Sequence, residues 1–487
     1  MKRNIALVII LSICLMTSPV MHAAADYRYD EFDEVVPAQS VYVAQTNYNG
    51  KQLDIGHFKN PADLYVYHDS LIYILDSGNN RIVVLDKDFR VSRIIDAIVA
   101  DGEQVDISAA KGIYISDAGE IYVSDPSNGR VVILDAQGGF LQMITRPDSL
   151  YLTDNINFLP KNVVVDSMGT VYIISENSTQ GAYMIGSNGD FLGFYGRNEV
   201  DVTAEILFQA FVRQFASEAQ RATMSSFVPV EFSNFDIDRE GFIYTVTGYS
   251  STPKTTDMIR KLNPLGENIL SNPYRTWGDE PDGNSFTTTY VDVAVDDEGF
   301  IYALDQTEGR VFLYDDTGFQ IAIFGGYGNT LGTFRTAAAI DTIGDSVIVL
   351  DSQKNNVTVF GRTEFGKLTM TALSLYNQGK MDESIGYFEE ITAMDANFTY
   401  AYYAMAEIYY DKEEYGLSEK YARLSGVSQE VYSKSKKMLR NDWIRGHFAG
   451  VFIVIILGAF VILATAKVKD AKRKEKRLLA LTERRSD

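Results

Sequence analysis

A closed six-bladed β-propeller, followed by a smaller all-α region and one transmembrane helix, is the mainly β fold class that the sequence predicts. Three observations carry it. A unit of alternating strands recurs six times, the apolar period changes from two to about 3.6 past Arg362, and residues 446–466 form an apolar run without Asp, Glu, Lys or Arg.

The repeat comes first. Its clearest copies are AAKGIYISDAGEIYVSDPSNGRVVILDAQGGFL at 109–141 and VDVAVDDEGFIYALDQTEGRVFLYDDTGFQI at 291–321. The others begin near Pro61, Phe158, Phe232 and Phe334. Each unit reads as a strand, a Gly turn, a second strand ending in Asp, a polar turn and a third strand. Ile121-Tyr122-Val123 and Ile301-Tyr302-Ala303 are expected at the innermost sheet positions. Asp117-Ala118-Gly119, Asp166-Ser167-Met168-Gly169 and Asp297-Glu298-Gly299 predict hairpin turns, where Gly adopts positive φ. Asp76 with Arg81, Asp125 with Arg130 and Asp305 with Arg310 keep one spacing. They predict a turn carboxylate that accepts backbone N–H bonds, with the Arg paired to it or packed over a neighbouring blade. A residue that recurs with the repeat serves the blade rather than a pocket. Closing the set into a ring removes every exposed edge. An early strand at 40–45 is expected to complete the ring; a separate leader strand is the alternative.

DSGNNRIVVLD at 76–86 and DPSNGRVVILDAQG at 125–138 resemble NHL repeats, and the resemblance covers about 40–362. Two blades depart from it: ENSTQGAYMI in the third has no matching Arg, and TGYSSTPKTTDMIRKL in the fourth has a longer turn. Some propellers of this resemblance are calcium-dependent lactonases, so calcium and a lactonase-like hydrolase stand as an alternative reading. Peptidyl-amide lyases share the repeat too, but they need histidines that this chain lacks.

Between blades three and four lies an insertion, about 198–229, containing DVTAEILFQAFVRQFASEAQRATM. Ile206, Phe211, Phe215 and Ala219 recur near helical spacing, so a helix is predicted. One reading packs it on the disc and the other makes it a docking element. On the second reading Phe208 and Val212 contribute to a partner contact.

Residues 366–441 predict a helical region. Two helix pairs, 368–397 and 400–425, align at a 34-residue offset that sets Ala372 on Ala406, Leu375 on Tyr409, Met381 on Tyr415 and Ser384 on Ser418. This resembles tetratricopeptide repeats. Ser384 and Ser418 replace the usual Ala, and Glu413 stands where a turn Gly is expected. Two repeats are few for independent stability. A short peptide groove and a spacer above the membrane are both open.

The ends predict topology. Lys2 and Arg3, a nearly unbroken apolar stretch from Ile5 to Met16 and Ala23-Ala24-Ala25 read as a signal peptide at 1–25. Residues 446–466 are long enough to cross a hydrocarbon core of about 30 Å. A basic tail at 467–487 then holds the C-terminus in the cytoplasm, with the ectodomain outside a cell membrane.

Charge and chemistry narrow the function. The formal net charge is -21. Lys2, Arg3 and the tail are basic, so the segment between them carries -28, which repels phosphate and argues against nucleic acid. Cys14 is the only cysteine and lies in the leader, so the mature chain has no disulfide or thiolate site. His57, His68 and His447 form no metal-ligand spacing. There is no G-x-S-x-G elbow, P-loop or dinucleotide fingerprint. No catalytic constellation emerges and no cofactor is expected. The expectation is a membrane-anchored extracytoplasmic binding or scaffold protein that works with a membrane protein or complex. Recognition of a cell-envelope polysaccharide is a further alternative.

Overall fold

The computed structural model describes residues 26–29, 34–149, 152, 157–178, 180–196, 231–248, 258–270, 277–279, 288–426 and 429–483. The chain divides into two compact units. The first gathers the described residues up to Asn377 together with Ala393–Asn397, and the second comprises Gln378–Thr392 and Phe398–Asp487.

The first unit is a six-bladed β-propeller. Blade one is Asp63–Tyr67, Leu71–Asp76, Arg81–Asp86 and Val91–Ile95, a four-stranded antiparallel meander. Blades two, three and five repeat that order, beginning at Gly112, Pro160 and Tyr290. Blade four has three strands among the described residues, Phe232–Ile237, Ile243–Thr247 and Ile259–Leu262. Blade six takes three strands from Ala337–Ile343, Ser346–Asp351 and Asn356–Arg362. Its fourth is Tyr42–Asn49, which pairs antiparallel with Asn356–Arg362. The ring is thus closed by the early strand, somewhat later and longer than 40–45. A further hairpin of Tyr27–Tyr29 with Val35–Pro37 precedes it.

One sequence expectation is corrected. Ile121-Tyr122-Val123 and Ile301-Tyr302-Ala303 belong to the second strand of their blades, not the innermost. The reason is burial. A second strand is covered on both faces by neighbouring blades, so it is apolar throughout and its residues are buried without exception in blades two, three, four and five. The first strand faces the central channel on one side and carries polar residues there.

The turn carboxylates behave as the repeat implies. Asp76 accepts the Lys59 amide at 2.8 Å and pairs with Arg81 Nε at 2.7 Å. Asp125 and Arg130 pair at 3.1 Å, and Asp305 and Arg310 at 3.4 Å. All three carboxylates are fully buried, where an ion must be paired and hydrogen-bonded to be tolerated.

Helix α1, Glu364–Asn377, follows blade six in the same unit. Thr363 starts it: its Oγ1 accepts the Gly366 amide at 2.9 Å, which supplies an N-cap. In the second unit, α3 (Thr399–Asp411) and α4 (Tyr415–Ser425) form a helical hairpin after α2 (Met381–Met394). Glu413 enters the left-handed region at φ 61°, the conformation that Gly379 takes at φ 75° in the aligned turn. Ser418 is buried because its hydroxyl bonds the Ala406 carbonyl and the Ser435 hydroxyl, each at 2.7 Å. The last helix, α5, runs unbroken over Gln429–Glu483, through the apolar run and into the basic tail. Its length and composition suit one membrane crossing.

Candidate functional site

The channel-lining positions follow from strand register. Asp63, Gly112, Asn162, Asn234, Asp292 and Ala339 each pair with the residue just before the end of the second strand. They form one layer, contributed by the six blades in order. Two residues on, the period of a strand produces a second layer of Tyr65, Tyr114, Val164, Asp236, Ala294 and Asp341. Gly112 is required in the first layer because the Lys161 carbonyl would stand 2.5 Å from any Cβ there.

The carboxyl groups of these layers stitch blade to blade. Asp63 accepts the amide of Leu64 at 2.9 Å and that of Ile113, in blade two, at 2.8 Å. Asp292 accepts Val293 at 2.9 Å and Ile340, in blade six, at 2.7 Å. Asp341 takes Thr342 and Val66, and Asp236 takes Ile237 and Val295, each pair again spanning a seam. Asn234 adds a carboxamide bond to Asp292 at 2.5 Å. At the seam between blades two and three the Tyr114 hydroxyl donates to the Val165 carbonyl at 3.0 Å. Burial pushes Asp63 and Asp236 up to about 7, and holds Asp292 and Asp341 well above the usual carboxylate range.

These layers enclose a neck cavity of about 30 Å³. A wider mouth of about 590 Å³ lies at the other end of the same strands. Nine carboxyl side chains line the mouth, namely Asp69, Asp117, Asp236, Asp238, Asp296, Asp297, Glu298, Asp341 and Asp345, against the guanidinium groups of Arg239 and Arg362. Arg362 pairs with Asp345 at 2.8 Å, and Arg239 pairs with Asp297 at 2.5 Å. Tyr65, Tyr67 and Tyr114 supply aromatic surface. Burial raises Asp296 to about 6.

Among the described residues no three His, Cys, Asp or Glu side chains are grouped to hold a metal. The neck carboxylates spend their oxygens on backbone amides instead. His68 sits exposed at the mouth, while the His57 carbonyl accepts the Asn79 carboxamide on another turn, so the two do not act together. His447 lies on α5, where its ring stacks on Trp443. Phe208, Val212 and the whole 198–229 insertion lie outside the described residues.

The neck residues escape a search for motifs because no short pattern contains them. A signal does exist. Counting back thirteen residues from Asp76, Asp125, Ser175, Thr247 and Asp305, and twelve from Asp351, reaches the six first-layer positions.

No family model matches the chain, and no curated protein matches it by sequence. Solved structures align with the chain at low identity. A virginiamycin B lyase from Staphylococcus aureus is 11% identical, with 66% of this chain and 100% of that chain covered at a TM-score of 0.42. Hydrazine synthase of Kuenenia stuttgartiensis is 12% identical, covering 63% and 96% at 0.39. A Bacteroides fragilis protein described as exported is 14% identical, covering 68% and 97% at 0.42. At these values the likeness carries no argument about this chain.

Proposed function

We propose that this chain is a membrane-anchored extracytoplasmic binding or scaffold protein, a protein-interaction component of a membrane complex, and that the acidic mouth of its propeller receives a basic segment of the partner. The observation that supports this is the mouth itself, with nine carboxyl groups against two guanidinium groups around a ligand-sized hollow. Such a field concentrates cationic groups and speeds their capture. NHL-like blades supply a rigid platform, and tetratricopeptide-like helices follow it in the chain, before the anchor at 446–466. On this reading 1–25 is removed as a signal peptide, 467–487 is cytoplasmic, and Phe208 and Val212 form a second contact. Calcium, a lactonase-like activity and an envelope polymer have no particular feature of the described residues behind them.

The test is co-purification of the full chain in mild detergent, compared with the Asp117→Lys, Asp238→Lys double variant. Loss of a partner, with the melting temperature unchanged, is the expected result. Recovery of the unaltered chain alone from native membranes, in several detergents, would count decisively against the scaffold reading. An unchanged partner set in the variant would remove the mouth from it.

A further inference from the structure

The neck poses a question of charge that the binding role of the mouth does not answer. Four carboxyl groups, Asp63, Asp236, Asp292 and Asp341, line one cavity of about 30 Å³. Asp63 and Asp292, 5% and 4% exposed, have little room for water beyond that space, whereas Asp236 and Asp341 are half-buried and also line the wider mouth. Each group already bridges two backbone amides across a seam, so none can turn away without leaving buried N–H groups unpaired.

The layers arrange these groups in two pairs. Asp63 and Asp292 flank Ala339 in the first layer, and Asp236 and Asp341 flank Ala294 in the second. An alanine between the members supplies neither a countercharge nor a hydrogen bond. Other charged groups act on the set from the surrounding strands. Lys161 is the cation that acts on Asp63, and Asp238 adds a further negative charge beside Asp236. Lys161 is itself drawn by Glu176, Asp292 and Glu231, and repelled by Lys111. Tyr65 and Tyr114 face the same cavity as neutral phenols. One lysine is insufficient for the two buried carboxylates, Asp63 and Asp292. Asn162, 7% exposed, has its Oδ1 occupied by the Val163 amide, and its Nδ2 has no partner among the described residues. That nitrogen offers the cavity a donor and not a cation ligand, which favours protons over a metal as the balancing charge.

We propose that the channel neck is a proton-held clasp, in which Asp63 with Asp292 holds a shared proton across the cavity, and the ring loosens as that proton leaves. The electrostatics agree with the geometry. Burial is the largest influence raising all four groups, and the Asp63 charge raises Asp292 further, as the Asp236 charge raises Asp341. The folded state therefore binds more protons than the unfolded chain, whose Asp groups titrate near 3.8. Stability from this source is fully present below about pH 4 and is lost as pH rises through about 7.

Infrared difference spectroscopy of the full chain in detergent, titrated from about pH 5 to about pH 9, tests this. A protonated-carboxyl band should persist near pH 6 and disappear through neutrality. Asp63→Asn with Asp292→Asn should remove part of it, whereas Asp296→Asn in the mouth should leave the neck's share intact. Asparagine suits the first layer, since blades three and four carry it there. The melting temperature of the unaltered chain should fall by several degrees over the same range, more steeply than in the neck variant. If the unaltered chain shows no protonated-carboxyl band near pH 6, or if the Asp63 and Asp292 double variant leaves the band undiminished, the clasp is overturned. Where the double variant fails to fold, the single Asp292→Asn change and the unaltered chain's titration still decide.

Discussion

Blades one, two and five differ from blades three and four at the end of the second strand. In the first group a fully buried Asp collects several bonds: Asp305, for example, accepts the amides of Thr289 at 2.8 Å and Thr307 at 3.0 Å, and pairs with Arg310. In blade three the position is Ser175, whose hydroxyl accepts the Leu159 amide at 2.8 Å and donates to the Asn157 carbonyl at 3.2 Å. In blade four it is Thr247, which donates to the Met258 carbonyl at 3.4 Å. A carboxylate can hold a loop, a turn and a guanidinium together; a hydroxyl holds one or two of these. The less firmly tied blades flank the long insertion at 198–229. Among the described residues no side-chain bond crosses the neck between blades three and four, while Asp63, Asp236, Asp292 and Asp341 stitch four other seams. The difference teaches where a repeat protein relaxes its own motif: at the place where the chain departs from the repeat.

This contrast can be broken by substitution. The largest expected effect belongs to Asp76→Ala, which strands Arg81 and the Lys59 amide in a buried site. A loss of about 3–5 kcal/mol is expected from denaturant unfolding of the detergent-solubilised chain. An effect no larger than that of the hydroxyl blades would sink the distinction between them. Gly112→Ala forces a Cβ against the Lys161 carbonyl and should cost about 1–3 kcal/mol, with the damage confined to the seam between blades two and three in hydrogen exchange.

Ser175→Ala should cost only about 1 kcal/mol, the size of an ordinary hydrogen bond. Its replacement by Asp sharpens the comparison, since without an Arg opposite it the new carboxylate should destabilise rather than help. At the small end stands Phe208→Asp with Val212→Asp. If these residues dock a partner, the melting temperature stays within a few degrees while association is lost. Unfolding, or untouched association, would make the insertion structural.

Much of the fold is legible in the chain because a propeller is written six times over. Alternation specifies the strands, glycine marks Asp117-Ala118-Gly119 and its counterparts as turns, and the Asp76 and Arg81 spacing marks a buried pair that the structure shows at 2.7 Å. The left-handed turn at Glu413 was legible only as a position, because nothing local explains a glutamate at φ 61°. The apolar run at 446–466 announces a helix long and apolar enough to cross a membrane. Which strand is innermost was not legible. Ile301-Tyr302-Ala303 and the first strand of the same blade both alternate acceptably, and only ring closure decides which of them meets the channel. The neck was hidden for the same reason. Asp63, Asp236, Asp292 and Asp341 are separated by up to 278 residues in the chain, and each looks like an isolated polar residue in a strand. Six strands must converge on one axis before those carboxyl groups share a cavity, Asp63 and Asp292 lose their water, and the charges act on one another.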